Sequence, residues 1–161
     1  MNYTWRPANG LDINEITELT WTIFHEVETI FVPDKTTFQR NITFAIVNQF
    51  FNPNGELVSI AVDEHNNILA YTWAKAGEKA VWSDDEILAI RLAHVDPSLS
   101  PRVRIKLLTD MFVIWEEFSF RANIKIISSN TMRKEQNAFL KLHERHGYQI
   151  RGSFAYKKLN A

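Results

Sequence analysis

The stretch that most constrains the fold of this chain runs from residue 87 to residue 108. An apolar run, ILAIRLAHV, predicts a buried strand that ends at Val95, and a short polar turn follows it. An amphipathic segment that begins near Pro101 then predicts a helix. In an α/β domain, a strand that leads into a helix N-terminus forms an anion site, because the first backbone N–H groups of the helix lack acceptors.

Three cationic side chains fall near the start of this predicted helix, namely those of Arg102, Arg104 and Lys106. The helix dipole disfavours positive charge at that end by about 0.3–1 kcal/mol per group. A bound anion would offset this cost. A solvated basic face on an ordinary helix explains the same local pattern equally well.

Composition excludes several classes of protein. The chain has 161 residues, of which 45% are hydrophobic and 23% charged, and this balance is typical of one folded domain. A formal net charge of -1 makes nucleic acid and anionic membranes poor partners. The absence of cysteine excludes disulfides, thiolate metal ligands and cysteine nucleophiles. Because no signal peptide and no apolar run near ~18 residues is present, we expect a cytoplasmic protein.

The spacing of apolar residues predicts a mixed α/β domain with the element order β, α, α, β, β, β, α, β, α, β. Asp12 is expected to cap the first helix, with Glu15 completing a capping box. Strands are predicted over residues 3–6, 57–62, 68–75, 86–95, 124–128 and, once or twice, 148–159. Helices are predicted over residues 12–30, 36–50, 101–122 and 132–146.

This element order and two local motifs resemble the GNAT superfamily of N-acetyltransferases over nearly the whole chain. The first motif, Val95-Asp96-Pro97, is similar to the family's V-x-P before its pyrophosphate loop. The second, NAFLKLHERHGY from Asn137 onward, is similar to the family's helix that ends in Gly-Phe. The resemblance implies a single GNAT-like domain over residues 1–161. Its central sheet is expected to be mixed and partly splayed, with about four flanking helices and with strands 86–95 and 124–128 parallel.

The resemblance also implies acetyl-CoA as co-substrate. The family's pyrophosphate loop is Q/R-x-x-G-x-G/A, whereas the corresponding run here, LSPRVR, has no glycine, and Pro101 lacks an N–H. The side chains of Arg102 and Arg104 are expected either to compensate by pairing with phosphate oxygens or to block the approach. The cofactor contacts expected from the resemblance are Ala93, Val95, Arg102, Val103, Arg104 and Asn130.

Three side chains are catalytic candidates on the same resemblance. Alignment on Gly147 places His143 where the family often has a tyrosine as general acid, and a histidine can protonate a leaving thiolate. His94, near the family's backbone bulge at the end of the central strand, is the candidate base, and Glu86 is its alternative. Each also has a structural interpretation, respectively as a surface histidine, a core histidine and a solvated acidic turn.

The leading hypothesis is an acyl-CoA-dependent N-acetyltransferase in which an unidentified amine, on a small molecule or a protein, attacks the thioester directly. The alternative is a protein of this fold without catalysis that serves as a structural or binding component of a larger assembly, for example a virus particle. The glycine-free loop favours this alternative, and either hypothesis leaves room for a homodimer. No metal site is expected, because the HExx pattern at His25 continues with Thr29 where a zinc site needs a second histidine.

Overall fold

The computed structural model of the protein describes residues 2–24, 30–131 and 136–152, and it confirms the predicted mixed α/β class. Its strands are β1 (Tyr3–Pro7), β2 (Glu56–Asp63), β3 (Ile68–Lys79), β4 (Glu86–Val95) and β5 (Ile126–Ser129). Its helices are α1 (Ile13–Trp21), α2 (Lys35–Phe51), α3 (Pro101–Arg121) and α4 (Asn137–Arg145). Within the described ranges, no helix combines the length and the apolar character needed to cross a bilayer.

The five strands form one mixed sheet in the order β1-β2-β3-β4-β5. The first four strands pair antiparallel, and β5 pairs parallel to β4 as predicted. The turn between β2 and β3 is built by Asp63, whose carboxylate accepts the backbone N–H groups of His65 and Asn67 at 2.9 Å. The long helix α3 provides the crossover that parallel pairing of β4 and β5 requires.

Each face of the sheet has its own core, because side chains alternate along a strand. Helices α1 and α2 cover one face, where Ile16, Ile42 and Tyr71 are buried. Helix α3 covers the other face, where the Trp115 indole N–H donates to the Thr72 hydroxyl at 2.8 Å. That hydroxyl in turn donates to the Leu92 carbonyl at 3.0 Å. A buried chain of hydrogen bonds therefore links α3 to β3 and β4.

The predicted capping box at the start of α1 is wrong. The Asp12 side chain does not cap α1. Its carboxylate instead accepts the Asn9 N–H at 2.8 Å and the Nη1 and Nη2 N–H groups of Arg6, each at 2.8 Å. Asn9 and Asp12 form the capping box of a 3-10 turn that precedes α1. Glu15 reaches the sheet and accepts the Ile68 N–H. Arg6 on β1 binds the Asp12 carboxylate, and the capping residue is therefore Asn9, three residues earlier.

Several predicted boundaries change at the ends of elements. The first helix stops at Trp21, and residues 25–29, which contain the HExx pattern, lie outside the described residues. Residues 132–135 and 153–161 also lie outside them, so part of the last predicted helix and most of the last predicted strand are not described. Residues 148–152 do not form a strand. Gly147 directly before this segment and Gly152 at its end have φ values of +81° and +77°, which a strand does not accommodate.

Trp115→Phe should lower the free energy of unfolding by about 1–3 kcal/mol, because it leaves a cavity and removes the donor to Thr72. Urea unfolding measures this change. Trp82→Phe is the matched control, since Trp82 is 89% exposed and should change stability by less than about 0.5 kcal/mol. Equal effects of the two substitutions would contradict the proposed link through Thr72.

Candidate active site

Strand β4 contains a β-bulge at Arg91. Trp73 of β3 pairs with Leu92, but the next residue, Ala74, pairs with Ile90, so Arg91 is one extra residue on β4. The bulge turns Ile90 toward the core under α3 and Leu92 toward the core under α1 and α2. The bulge had been expected next to His94, and the structure places it three residues earlier.

The pairing of β4 with β5 ends just before this bulge, because β5 ends at Ser129. Their parallel pairing ends where Ile90 meets Ser129, whereas β4 continues to Val95. The Asp96 N–H donates to the β3 carbonyl of Leu69 at 2.9 Å, and backbone groups alternate sides along a strand. The N–H and C=O groups of Ala93 and Val95 therefore point away from β3. They face the space beside β4 beyond Ser129, the last residue of β5, and we call this space the gap between β4 and β5. The splay of the two strands stays a prediction.

The N-terminus of α3 follows the open end of β4. Ser100 occupies the N-cap position without a side-chain cap, and Pro101 has no N–H. The Arg104 N–H donates to the Ser100 carbonyl at 3.0 Å and begins the regular helical pattern. The N–H groups of Arg102 and Val103 are the donors for which the helix itself supplies no acceptor.

The three cations at this helix end do not act together. Arg102 is exposed, and Arg104 is partly buried. Lys106 lies 4.8 Å from the centre of the Tyr3 ring, on the side of β1. The expected cluster of three cations is therefore wrong, because Lys106 lies one turn further along α3 and packs over the Tyr3 ring. Two arginines remain to meet an anion at this end of α3.

Buried polar atoms without a hydrogen bond mark the elements around the gap. Within the described part of the chain, no partner is present for Arg104 Nε, Ser129 Oγ, His143 Nε2 and Tyr148 Oη. These residues belong to α3, β5, α4 and the turn after α4. Buried polar groups in native proteins are nearly always paired, so each of these atoms is a candidate contact for a bound ligand.

His143 lies in an aromatic cluster and is 2% exposed, so the interpretation of it as a surface histidine is wrong. Its ring meets Phe112, Phe139 and Tyr148 edge-on, at centroid distances of 4.7, 4.3 and 5.0 Å. Its Nδ1 lies 2.9 Å from the Phe139 carbonyl, which can only accept. The neutral ring therefore carries its proton on Nδ1 and its lone pair on Nε2. Burial lowers the pKa of His143 and so favours this neutral form.

His94 lies on the opposite face of the sheet, packed on the side of α1. It is 2% exposed and pairs across the sheet with Tyr71. The Thr22 hydroxyl donates its one proton to the Leu19 carbonyl at 2.7 Å. In its 3.2 Å contact with His94 Nε2, the same hydroxyl must therefore accept. His94 accordingly carries its proton on Nε2 and its lone pair on Nδ1.

The remaining sequence candidates lie at different distances from the gap. Glu86 is exposed at the first residue of β4, about 13 Å before Ile90 at the usual rise of a strand, so the structure does not bring it to the gap. Asn130 directly follows β5, where the pairing of the two strands ends. Among the described residues, no group of three His, Asp or Glu side chains is arranged to hold a metal ion.

Sequence reasoning missed two polar residues of this region. Tyr148 stands where the family motif has phenylalanine, and its additional hydroxyl was a signal that could have drawn attention to it. Burial raises the pKa of the Tyr148 phenol, which therefore keeps its proton and remains a hydrogen-bond donor. Ser129 differs from Ser128 only in its position at the end of β5, so the local sequence carries no signal for it.

Solved structures share this architecture, although no protein-family model and no curated protein sequence matches the chain. A predicted acetyltransferase with acetyl-CoA from Clostridium acetobutylicum superposes with a TM-score of 0.72 at 16% identity, over 99% of this chain and 96% of that one. An aminoglycoside antibiotic 6'-N-acetyltransferase from Acinetobacter baumannii gives 0.65 at 11% identity, over 99% of both chains.

The chain has the GNAT fold. A third structure of this fold, glucosamine-6-phosphate N-acetyltransferase from Arabidopsis thaliana, gives a TM-score of 0.66 at 12% identity. It covers 99% of this chain and 100% of its own. These solved structures share the overall fold of the chain at sequence identities of 11–16%.

The protein should lose stability as the pH falls below 6.5, the ordinary pKa of histidine. The folded state lowers the pKa of His143, so the unfolded state takes up the proton first, and the stabilising effect is lost through the lowered pKa. We expect His143→Phe to reduce the difference in unfolding free energy between pH 8 and about pH 5.5. The exposed His65→Phe is the control, and the hypothesis fails if both variants behave like the unmodified protein.

Proposed function

We propose that this protein is an N-acetyltransferase that uses acetyl-CoA and acts on an amine. The gap between β4 and β5 carries this proposal, because it places open strand backbone directly before an uncapped helix N-terminus. Support comes from solved structures of the same fold. One holds acetyl-CoA, and the names of others give an aminoglycoside or glucosamine 6-phosphate as the acceptor. The thioester of acetyl-CoA supplies the acetyl group.

Both backbone groups and side chains are available to bind acetyl-CoA. The open edge at Ala93 and Val95 offers N–H and C=O groups, which suit the two amides of a pantetheine arm as they would suit a neighbouring strand. The N–H groups of Arg102 and Val103 suit a diphosphate at the helix N-terminus. The guanidinium groups of Arg102 and Arg104 supply the donors that Pro101 cannot.

The proton that the amine loses is assigned to His94. Thr22 holds the proton of the imidazole on Nε2, so Nδ1 keeps the lone pair that accepts a proton, directly or through water. The role of His143 as the acid that protonates the sulfur stays a prediction. It requires the doubly protonated ring, and burial makes that form rare at neutral pH.

A GNAT-fold protein without catalysis remains the second candidate, as a structural or binding component of an assembly. The observation that favours it is the loop before α3, where Arg102 and Arg104 stand in place of the family's glycines and Pro101 removes one backbone donor. The two candidates differ in one measurable property, which is the affinity of the chain for coenzyme A.

Coenzyme A should bind to the protein and raise its Tm by mass action. Arg102→Ala combined with Arg104→Ala should weaken this binding by about 10–100-fold, because two charge-assisted contacts to phosphate are lost. Calorimetry at two salt concentrations measures both the affinity and its screening. Arg40→Ala on α2 removes the same charge from the other face and should leave binding unchanged. If millimolar coenzyme A gives neither heat nor a shift in Tm, the non-catalytic candidate is favoured.

Thr22→Val should lower kcat about 10-fold or more and change its pH profile, because the imidazole of His94 is no longer held in one tautomer. Thr22→Ser keeps the hydroxyl and should restore both. Release of coenzyme A from acetyl-CoA, with aminoglycosides, glucosamine 6-phosphate and lysine peptides as acceptors, is measured with a thiol reagent. The chain has no cysteine, so the protein gives no background. Equal loss of activity in both variants would assign Thr22 to packing alone.

A further inference from the structure

The outer face of α2 is apolar. Its inner face packs on the sheet through Ile42, Ala45 and Ile46, which are buried. Four large apolar side chains instead face outward, at 61%, 44%, 81% and 79% exposure respectively: Phe44, Val47, Phe50 and Phe51. We call these four residues the α2 patch. An exposed set of this size on a monomer usually marks a binding surface.

The α2 patch is also uncharged. A surface helix normally carries charged residues opposite its buried face, but residues 41–55 contain none. Arg40, one turn before Phe44, is the nearest charge on α2 and lies at the edge of the patch. The rings of Phe50 and Phe51 meet edge-on with centroids 5.2 Å apart. Aromatic enrichment without charge is typical of the core of a protein–protein interface.

We propose that the α2 patch joins two copies of this chain across a twofold axis. In such an isologous contact the same surface meets itself, so every charge near the axis would face a like charge. A patch without charge avoids that repulsion, and it also offers no charge that would select a different, oppositely charged partner. Self-association is therefore the contact for which its composition is best suited.

The geometry of the helix allows this contact. Phe44, Val47 and Phe51 follow the spacing i, i+3, i+7 and form a stripe about 10 Å long on one side of α2. When two copies of α2 pack antiparallel, Val47 near the centre meets its own copy, and Phe44 approaches Phe51 of the other chain. The exposed phenylalanine surface amounts to roughly 300–550 Å² per copy. Two copies with a polar rim then reach the ~1,000 Å² that a specific interface needs.

This inference does not depend on the proposed activity. Helix α2 covers the face of the sheet opposite α3, so the contact leaves the α3 N-terminus and the gap open. Loss of the dimer and loss of coenzyme A binding are therefore separate results. Measuring coenzyme A affinity on each interface variant keeps the two proposals distinguishable.

Sedimentation velocity of the full chain tests the inference. We expect a concentration-dependent dimer between about 1 and 100 µM, and at least a 10-fold weaker dimer for Phe44→Glu combined with Phe51→Glu. Phe120→Glu is the matched control, because Phe120 is 89% exposed on α3, outside the patch. Circular dichroism shows whether each variant is folded. A monomeric unmodified protein, or a dimer that survives both glutamates in a folded variant, overturns the proposal.

Cross-linking gives a second test that requires no loss of stability. The chain has no cysteine, so Val47→Cys introduces a single thiol at the proposed axis. Mild oxidation should link two copies, since a disulfide forms when the two Cα atoms lie within about 7 Å. Phe120→Cys should remain unlinked under the same conditions. Equal linking of the two variants, or no linking of Val47→Cys, also overturns the proposal.

Discussion

One extra residue in β4 determines the arrangement of everything around the gap. The bulge at Arg91 lets Ile90 face one core and Leu92 the other. The two halves of β4 also differ in the strands with which they pair. Among the residues that the structure describes, the first half is paired on both sides and the second half is paired with β3 alone. The Leu92 carbonyl, immediately after the bulge, accepts the Thr72 hydroxyl, which Trp115 in turn holds. The bulged strand is thereby fixed to α3, the helix whose N-terminus meets the gap.

The two buried histidines lie on opposite faces of the sheet, and a hydrogen bond at one ring nitrogen fixes the position of the proton on each. The Phe139 carbonyl holds the proton of His143 on Nδ1, and the Thr22 hydroxyl holds that of His94 on Nε2. Each ring therefore presents a lone pair rather than a proton at its other nitrogen. This arrangement suits acceptance of a proton at His94 better than donation of one at His143.

The parts of the fold that the sequence predicts well are those that depend on local patterns. Strand β4 has its predicted boundaries, 86–95, because a continuous apolar run between polar turns has few alternatives. The bulge was misplaced because register is set by the neighbouring strand. The cap at Asp12 was wrong because Arg6 on another element binds its carboxylate. The burial of His143 depends on Phe112, thirty-one residues earlier, and no pattern within α4 carries that information.

The short ladder between β4 and β5 also has a consequence for local unfolding. Four residue pairs join the two strands, from Ile87 with Ile126 to Ile90 with Ser129, whereas β3 and β4 pair over most of their length. The free energy of local opening is smallest where few hydrogen bonds must break together. The amides of β5 should therefore exchange with deuterium sooner than those of β3. A molecule that lies along the edge of β4 and contacts β5 would slow that exchange, because it would couple the opening of β5 to the opening of β4.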